Sequence, residues 1–284
     1  MPSSMVINTN IASLNSQKFL TRTNDSLQMS MERLSSGLRV NSAKDDAAGL
    51  AIADRMTSQI RGMTVAMRNA NDGISMAQTA EAGMGTITET LQRMRDLAVQ
   101  AANRAAVSGE DRQKLHTEFK QLGAEVKRII QNTEFNGKKI LNGSLKNANF
   151  QIGANTAADN QISVTVSDLI AVTSLSALFG NKHSIGSAAT SGNVRSAINA
   201  IDTAIRRIDT FRSNLGAIQN RFSTTISNLQ SSIENQSSAR SRIMDADFAA
   251  ETANLSRSQI LQQAGTAMLA QANQVTQGVL QLLK

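Results

Sequence analysis

The sequence predicts a mainly α-helical fold: a rod of long helices packed as a coiled coil or bundle, with a small β-hairpin region. Apolar residues recur every three or four positions over most of the chain, which is the spacing of one helix face. The only proline is Pro2, so no later helix contains the residue that interrupts helices most strongly. Alternation with a period of two, typical of strands, is confined to the middle of the chain.

The first predicted helix has a thin apolar stripe. Its leucines recur every seven residues, with further apolar residues between or beyond them: Leu20, Leu27, Met31, Leu34 and Leu38. A seven-residue recurrence is typical of a coiled coil. The stripe can bury only a small area, so we expect this helix to be marginal without neighbours.

Two longer helical stripes follow, over residues 60–101 and 115–129. Ser108 lies in the turn between them and is a candidate N-cap, because a serine oxygen can accept a hydrogen bond from a free N–H of the first turn. These stripes and the long helix described below can bury one another as an antiparallel bundle.

The helical period is lost between residue 135 and about residue 192. Residues 161–166 alternate apolar and polar side chains and predict a strand, and we expect 149–152 to pair with it. The stretch 184–193 consists mainly of Gly, Ser, Ala and Thr, which predicts a loop.

A long helix follows this region. Six apolar residues recur at intervals of seven: Val194, Ile201, Ile208, Leu215, Phe222 and Leu229. No proline interrupts them, so we predict a single helix of about forty residues, roughly 60 Å long at about 1.5 Å per residue.

The last predicted helix repeats the thin pattern of the first. Its seven-residue series is Leu261, Met268, Val275 and Leu282, with Gly265, Ala272 and Val279 four residues after the first three. Its polar face carries glutamine and asparagine in place of charges. From Arg257 to Lys284 only these two end residues are charged. We predict that the two terminal stripes pair as an inner coiled coil. A neutral amide face suits a densely repeated environment, where identical charges would repel one another.

The composition excludes several kinds of chemistry. The chain has no cysteine and two histidines, so disulfides, thiolate nucleophiles and His-rich metal centres are ruled out. No acid–base–nucleophile set or phosphate loop is found, so we expect neither an enzyme nor a cofactor. The net charge of +7 is dispersed and aromatics make up 3%, which argues against nucleic acid as a partner.

Membrane insertion is also not expected. No apolar run reaches the roughly 18 residues that a spanning helix needs. The first five residues lack the basic and apolar regions of a secretory signal, so we expect any export to occur without a cleaved signal peptide.

Several motifs give the sequence a resemblance to bacterial flagellins, the subunits of the flagellar filament. The motifs lie at residues 6–14, 32–52, 91–103, 133–137, 151–155, 239–251 and 268–274. Together the motifs extend the resemblance over about residues 5–155 and 195–284, which is most of the chain. Two local departures are the Val275-Thr276-Gln277 run, where the family often has proline, and the four residues before Met5. The sequence leaves open whether Met1 or Met5 is the native start.

The resemblance implies a layout and a function. Residues 1–45 and 241–284 would form the two halves of an inner helical domain, 46–167 and 194–240 a rod domain, and 168–193 a short connector replacing the outer domains. The function implied is a structural subunit that is exported unfolded by the flagellar type III apparatus and polymerises at the filament tip outside the cell. The implied partners are further copies of the chain, the export chaperone, the filament cap and the hook–filament junction proteins.

The resemblance also implies residue roles. The inner-tube packing residues would be the terminal stripes: Leu20, Leu27, Met31, Leu34, Leu38, Leu261, Met268, Val275 and Leu282. The vertebrate Toll-like receptor for flagellin would contact Leu91, Gln92, Arg93, Asp96, Leu97, Gln100 and Glu118. Hydroxyls of the connector could carry O-glycans, as in some flagellins: Thr173, Ser174, Ser176, Ser184, Ser187 and Thr190.

Three other functions remain as alternatives. A hook–filament junction protein shares the terminal motifs, but the mid-helix motifs favour flagellin. A secreted coiled-coil adhesin or translocator would need a membrane-competent apolar segment, and none is seen. An enzyme would need a catalytic set that the chain lacks.

Overall fold

The computed structural model describes residues 9–145, 147–166, 168–179 and 183–281, with side chains described as far as residue 274. Leu282 and the side chain of Val275 therefore lie outside the described part, as do both candidate start residues.

The fold is mainly α-helical, as predicted, with small antiparallel hairpins between the long helices. The helices are α1 (Ile11–Ser36), α2 (Ala47–Ala102), α3 (Gly109–Asn132), α4 (Thr173–Phe179), α5 (Ser191–Met244) and α6 (Phe248–Gln281). The strands are β1 (Glu134–Phe135), β2 (Lys138–Lys139), β3 (Ala148–Gln151) and β4 (Gln161–Val164). Helix α5 has 54 residues in place of the expected forty or so, because the helix continues past the last apolar residue of its stripe.

The chain divides into two compact units. The terminal unit comprises the residues up to Ser58 and those from Asn235 onward, and the central unit is Gln59–Glu234. The predicted seven-residue series on α5 lies in the core of the central unit from Val194 to Phe222, with Leu229 in a smaller cluster beside Met63 and Ala66. The periodicity therefore identified the buried face of this helix correctly.

Two local predictions are confirmed. The Oγ of Ser108 accepts a hydrogen bond from the N–H of Asp111 at 3.1 Å and so caps α3. Strands β3 and β4 pair antiparallel with Phe150 opposite Ile162, as the alternating pattern indicated.

The connector contains a helix that the sequence pattern did not predict. Residues Thr173–Phe179 form α4, and Leu175 and Leu178 are buried. The carbonyl oxygen of Leu178 would be only 3.4 Å from a Cβ built at Gly123, so α4 packs closely against α3. Two leucines three residues apart lie on the same face of this short helix. Burial of that face against a neighbouring helix stabilises the helical conformation of the segment.

Candidate assembly surface

Helices α1 and α6 pair in the terminal unit, as predicted, and they run antiparallel. Near one end the side-chain N–H of Asn10 donates to the carbonyl oxygen of Ala272 at 2.9 Å. Further along, the Gln262 side chain donates to Asn24 Oδ1 at 3.0 Å. At the other end Arg33 Nη1 lies 4.0 Å from Glu251 Oε2. These contacts fix a single register along the whole pair.

Backbone contacts between residues 37–39 and 243–246 close the pair at that end. The N–H of Arg39 donates to Met244 at 2.6 Å, and the N–H of Ala246 donates to Gly37 at 3.0 Å. Gly37 has φ of +73°, the left-handed conformation that ends α1 and that glycine adopts most easily. Leu38 is bridged to Asp245 across this junction and is half-buried.

The seam between the helices combines large residues on α1 with small ones on α6. Leu20, Leu27 and Leu34 are half-buried, as their spacing predicted. The α6 residues buried in the unit recur every seven positions: Glu251, Ser258 and Ala272, with the half-buried Gly265 between them. A Cβ built at Gly265 would lie 3.3 Å from Leu20 Cδ1, so this glycine gives the leucine its space.

The expectation that Leu261, Met268 and Met31 pack within this pair is wrong. Their exposed fractions are 51%, 62% and 49%. The physical reason is that small residues let two helices approach closely, so α6 turns its glycine and alanine positions towards α1 and its larger apolar residues away. Packing of these side chains between copies, in an inner tube, stays a prediction.

Large apolar side chains are exposed on both helices. We call these nine residues the terminal apolar surface: Ile11, Leu14, Phe19, Met29, Met31, Phe248, Ile260, Leu261 and Met268. Water solvates each of these side chains poorly, so together they are the candidate contacts of this helix pair with a partner. Six of the nine were not predicted to have a functional role: Ile11, Leu14, Phe19, Met29, Phe248 and Ile260. The available signal was that these large residues fall outside the seven-residue stripes.

Most of the exposed polar side chains on α6 after Arg257 are amides. Gln259, Gln263, Gln271 and Gln274 are exposed, and no charged residue occurs between Arg257 and Gln274. A contact made on α6 between residues 258 and 274 therefore removes no ionised group of this helix from water, which avoids the large penalty of burying a charge.

A second group of predicted site residues lies on α2 and α3 in the central unit. Gln92, Arg93, Asp96 and Gln100 are exposed on α2. The guanidinium of Arg93 donates to Glu118 Oε1 from Nε at 3.0 Å and from Nη2 at 2.8 Å, which joins the two helices.

Two members of that predicted set lie elsewhere. Leu91 and Leu97 are buried in the core of the central unit, so neither is available to a receptor in this conformation. Residues at these positions face the inside of the helix bundle because they share the apolar stripe of α2.

The candidate glycosylation positions differ in exposure. Thr173, Ser176, Ser187 and Thr190 are exposed, whereas Ser174 and Ser184 are half-buried. Thr173 and Ser174 also line an open concavity of about 700 Å³ together with Arg207 and Phe211.

Metal binding and membrane insertion find no support in the described residues. There, no three His, Asp or Glu side chains cluster as metal ligands would. Within the same ranges, each helix is too short or too polar to cross a bilayer.

Comparison with known proteins gives matches at both ends of the chain. Residues 7–146 match the profile of the bacterial flagellin N-terminal helical region, and residues 198–283 match that of the bacterial flagellin C-terminal helical region. A flagellin of Halalkalibacterium halodurans is 44% identical over 281 residues, which cover 99% of this chain and 100% of that protein. A flagellin of Bacillus subtilis is 43% identical over 309 residues, with the same coverage of 99% and 100%.

The fold is also similar to a solved structure assigned to a flagellar hook-associated protein of Vibrio parahaemolyticus. The TM-score is 0.60 at 12% identity, and the match covers 71% of this chain and 100% of that one. At this identity the likeness concerns the fold alone.

Proposed function

The chain belongs to the bacterial flagellin family, and from this premise we propose how its surfaces serve the flagellar filament. The protein is a structural subunit of the filament and not an enzyme. We propose that it is exported unfolded, that it is added at the growing tip, and that the terminal apolar surface is what it buries there.

The exposure of the terminal apolar surface carries this proposal. Nine large apolar side chains on one helix pair are unfavourable for an isolated subunit and favourable for one whose neighbours cover them. When a contact between different patches of identical subunits does not close into a ring, its repetition gives a helical filament.

Substituting the apolar surface is expected to weaken assembly. The double variant Ile260→Ser, Leu261→Ser removes two exposed apolar side chains from α6. Each buried side chain of this size contributes about 1.5–3 kcal/mol, so the lowest concentration that supports filament growth should rise at least about tenfold. Filament mass is measured by sedimentation after seeding with fragments of wild-type filament.

The double variant Gln259→Ser, Gln263→Ser is the matched control, since it alters the same helix at exposed amide positions. It should assemble at the wild-type concentration. Assembly of both variants at that concentration would contradict a role for Ile260 and Leu261 in the contact.

The same surface supports the proposed partners during export. A chaperone that covers α6 would shield Ile260, Leu261 and Met268 before assembly. The cap and the hook–filament junction proteins would meet the same side chains at the ends of the filament. We also propose the exposed connector hydroxyls, Thr173, Ser176, Ser187 and Thr190, as the positions open to O-glycans.

We propose in addition that the vertebrate Toll-like receptor for flagellin binds the monomer at the exposed α2 and α3 residues. The ion pair of Arg93 and Glu118 supports this, because it holds two charged side chains in a defined geometry at the surface. Leu91 and Leu97 are left out of this surface because they are buried.

Removal of the ion pair is expected to reduce receptor activation at least tenfold. The variant is Arg93→Ala, Glu118→Ala, and the readout is a receptor-dependent reporter in cultured cells. The loss should leave folding intact, because an exposed ion pair contributes no more than about 1 kcal/mol to stability. The pair Arg128→Ala, Glu125→Ala removes a comparable exposed ion pair within α3 and should leave signalling unchanged. Equal signalling by both double variants would refute the assignment.

A further inference from the structure

We propose that Met29, Met31 and Met268 are sites of reversible oxidation, and that their conversion to sulfoxides blocks addition of the subunit to a filament. The inference rests on the proposed function of the terminal apolar surface, to which all three residues belong.

The distribution of methionine over the structure separates these three from the others. Met29, Met31 and Met268 are exposed to 45%, 49% and 62%. The remaining described methionines are buried or half-buried: Met56, Met63, Met67, Met76, Met84, Met94 and Met244. Every exposed methionine of the described part therefore lies on the α1–α6 pair.

Exposure decides which of these thioethers a small oxidant reaches first. With hydrogen peroxide, the Sδ lone pair attacks one peroxide oxygen and the O–O bond breaks. The sulfur loses two electrons and gains one oxygen atom, while the second oxygen leaves as water after taking up a proton. The peroxide is thus reduced as the thioether becomes a sulfoxide.

Methionine sulfoxide is polar, whereas the terminal apolar surface that carries it is proposed to be buried against apolar neighbours. A sulfoxide is a polar acceptor, and burying it against an apolar neighbour without a donor is unfavourable. The core of the central unit would be unaffected, because Met76, Met84 and Met94 are buried there. Oxidation should therefore stop assembly while leaving the subunit folded, and a filament that covers these residues should resist it.

The test compares wild-type subunit with the variant Met29→Leu, Met31→Leu, Met268→Leu. Full-length monomer of each is treated with dilute hydrogen peroxide, the peroxide is removed, and oxidised positions are mapped by peptide mass spectrometry. Seeded filament growth is then measured. Leucine keeps the apolar surface and has about the same volume as methionine. Each treated protein is compared with the same protein untreated, so the comparison does not depend on how leucine alone changes assembly.

The proposal expects a rise of at least tenfold in the lowest assembling concentration of treated wild type, and no rise for the treated variant. Methionine sulfoxide reductases of both stereospecificities should restore the wild type when a dithiol is supplied, since the dithiol gives up two electrons to become a disulfide and the sulfoxide oxygen leaves as water. If the untreated variant does not assemble, this enzymatic rescue of oxidised wild type decides the question. Equal loss in both treated proteins, unchanged assembly of fully oxidised wild type, or failure of the rescue would overturn the proposal. Failure of untreated wild type to polymerise would instead contradict the assembly function itself.

Discussion

A leucine in place of Gly265 is expected to abolish filament formation. A single added carbon at this position would already approach Leu20 Cδ1 to 3.3 Å, and leucine adds three more carbons beyond it. Overpacking of this kind typically destabilises by about 1–3 kcal/mol. The seam of α1 and α6 buries mostly small residues, so it has little stability to lose. We expect no sedimentable filament even about tenfold above the wild-type concentration.

The structure offers a graded series and a matched control for this result. Gly265→Ala needs only a small movement of the flexible Leu20 side chain, so it should assemble. Gly216→Leu makes the same substitution within helix α5, at a glycine whose added Cβ would meet no atom within 4 Å. It should assemble like the wild type. Filaments from Gly265→Leu with normal yield would show that the close approach at this seam is not required.

Truncation of Phe222 is expected to give the largest loss of stability in the central unit. The ring is buried and meets Phe150 edge to face, with ring centroids 5.6 Å apart and planes at 86°. Phe→Ala changes in a core typically reduce the free energy of unfolding by about 3–5 kcal/mol. The edge-to-face contact of the two rings adds about 0.5–1.5 kcal/mol to the stabilisation that comes from burial of their apolar area. Urea unfolding followed by circular dichroism measures the change.

Substitution of Gly73, which lies against the ring of Phe222, tests how tightly that ring is packed. A Cβ there would lie 2.6 Å from Phe222 Cζ, so Gly73→Ala should destabilise despite the better helix propensity of alanine. Gly85→Ala is the matched control on α2, because its added Cβ would meet nothing within 4 Å. That variant should gain up to about 1 kcal/mol. If Gly73→Ala were as stable as Gly85→Ala, the ring would not be confined as described.

The elements with strong periodicity could be predicted from the sequence. The α5 stripe from Val194 to Phe222 repeats every seven residues with a large apolar side chain at each position, so one face alone could be buried. The cap at Ser108 and the pairing of Phe150 with Ile162 depend on neighbouring residues only, and local sequence specifies them.

The pairing face of α6 could not be predicted in this way. The predicted stripe contains both series, Leu261 with Met268 and Gly265 with Ala272. Hydrophobicity favours the first series for the pairing face, but the close approach of two helices favours the second. This choice depends on the shape of the facing helix, where Leu20 fills the space that Gly265 leaves. Helix α4 could not be predicted from the sequence for a related reason. Leu175 and Leu178 form a buried face only because α4 packs beside α3.

The register of the terminal pair also has a consequence for the order of folding. Asn10 and Ala272, which share a hydrogen bond, are 262 positions apart, and Arg39 and Ile243 are 204 apart. Joining distant segments of a free chain costs loop-closure entropy that grows with the logarithm of their separation. Met63 and Leu229 pack in one cluster of the central unit and shorten that loop once it has formed. The ends are therefore expected to meet last, so a newly delivered chain becomes competent to join its neighbours only after its middle has folded.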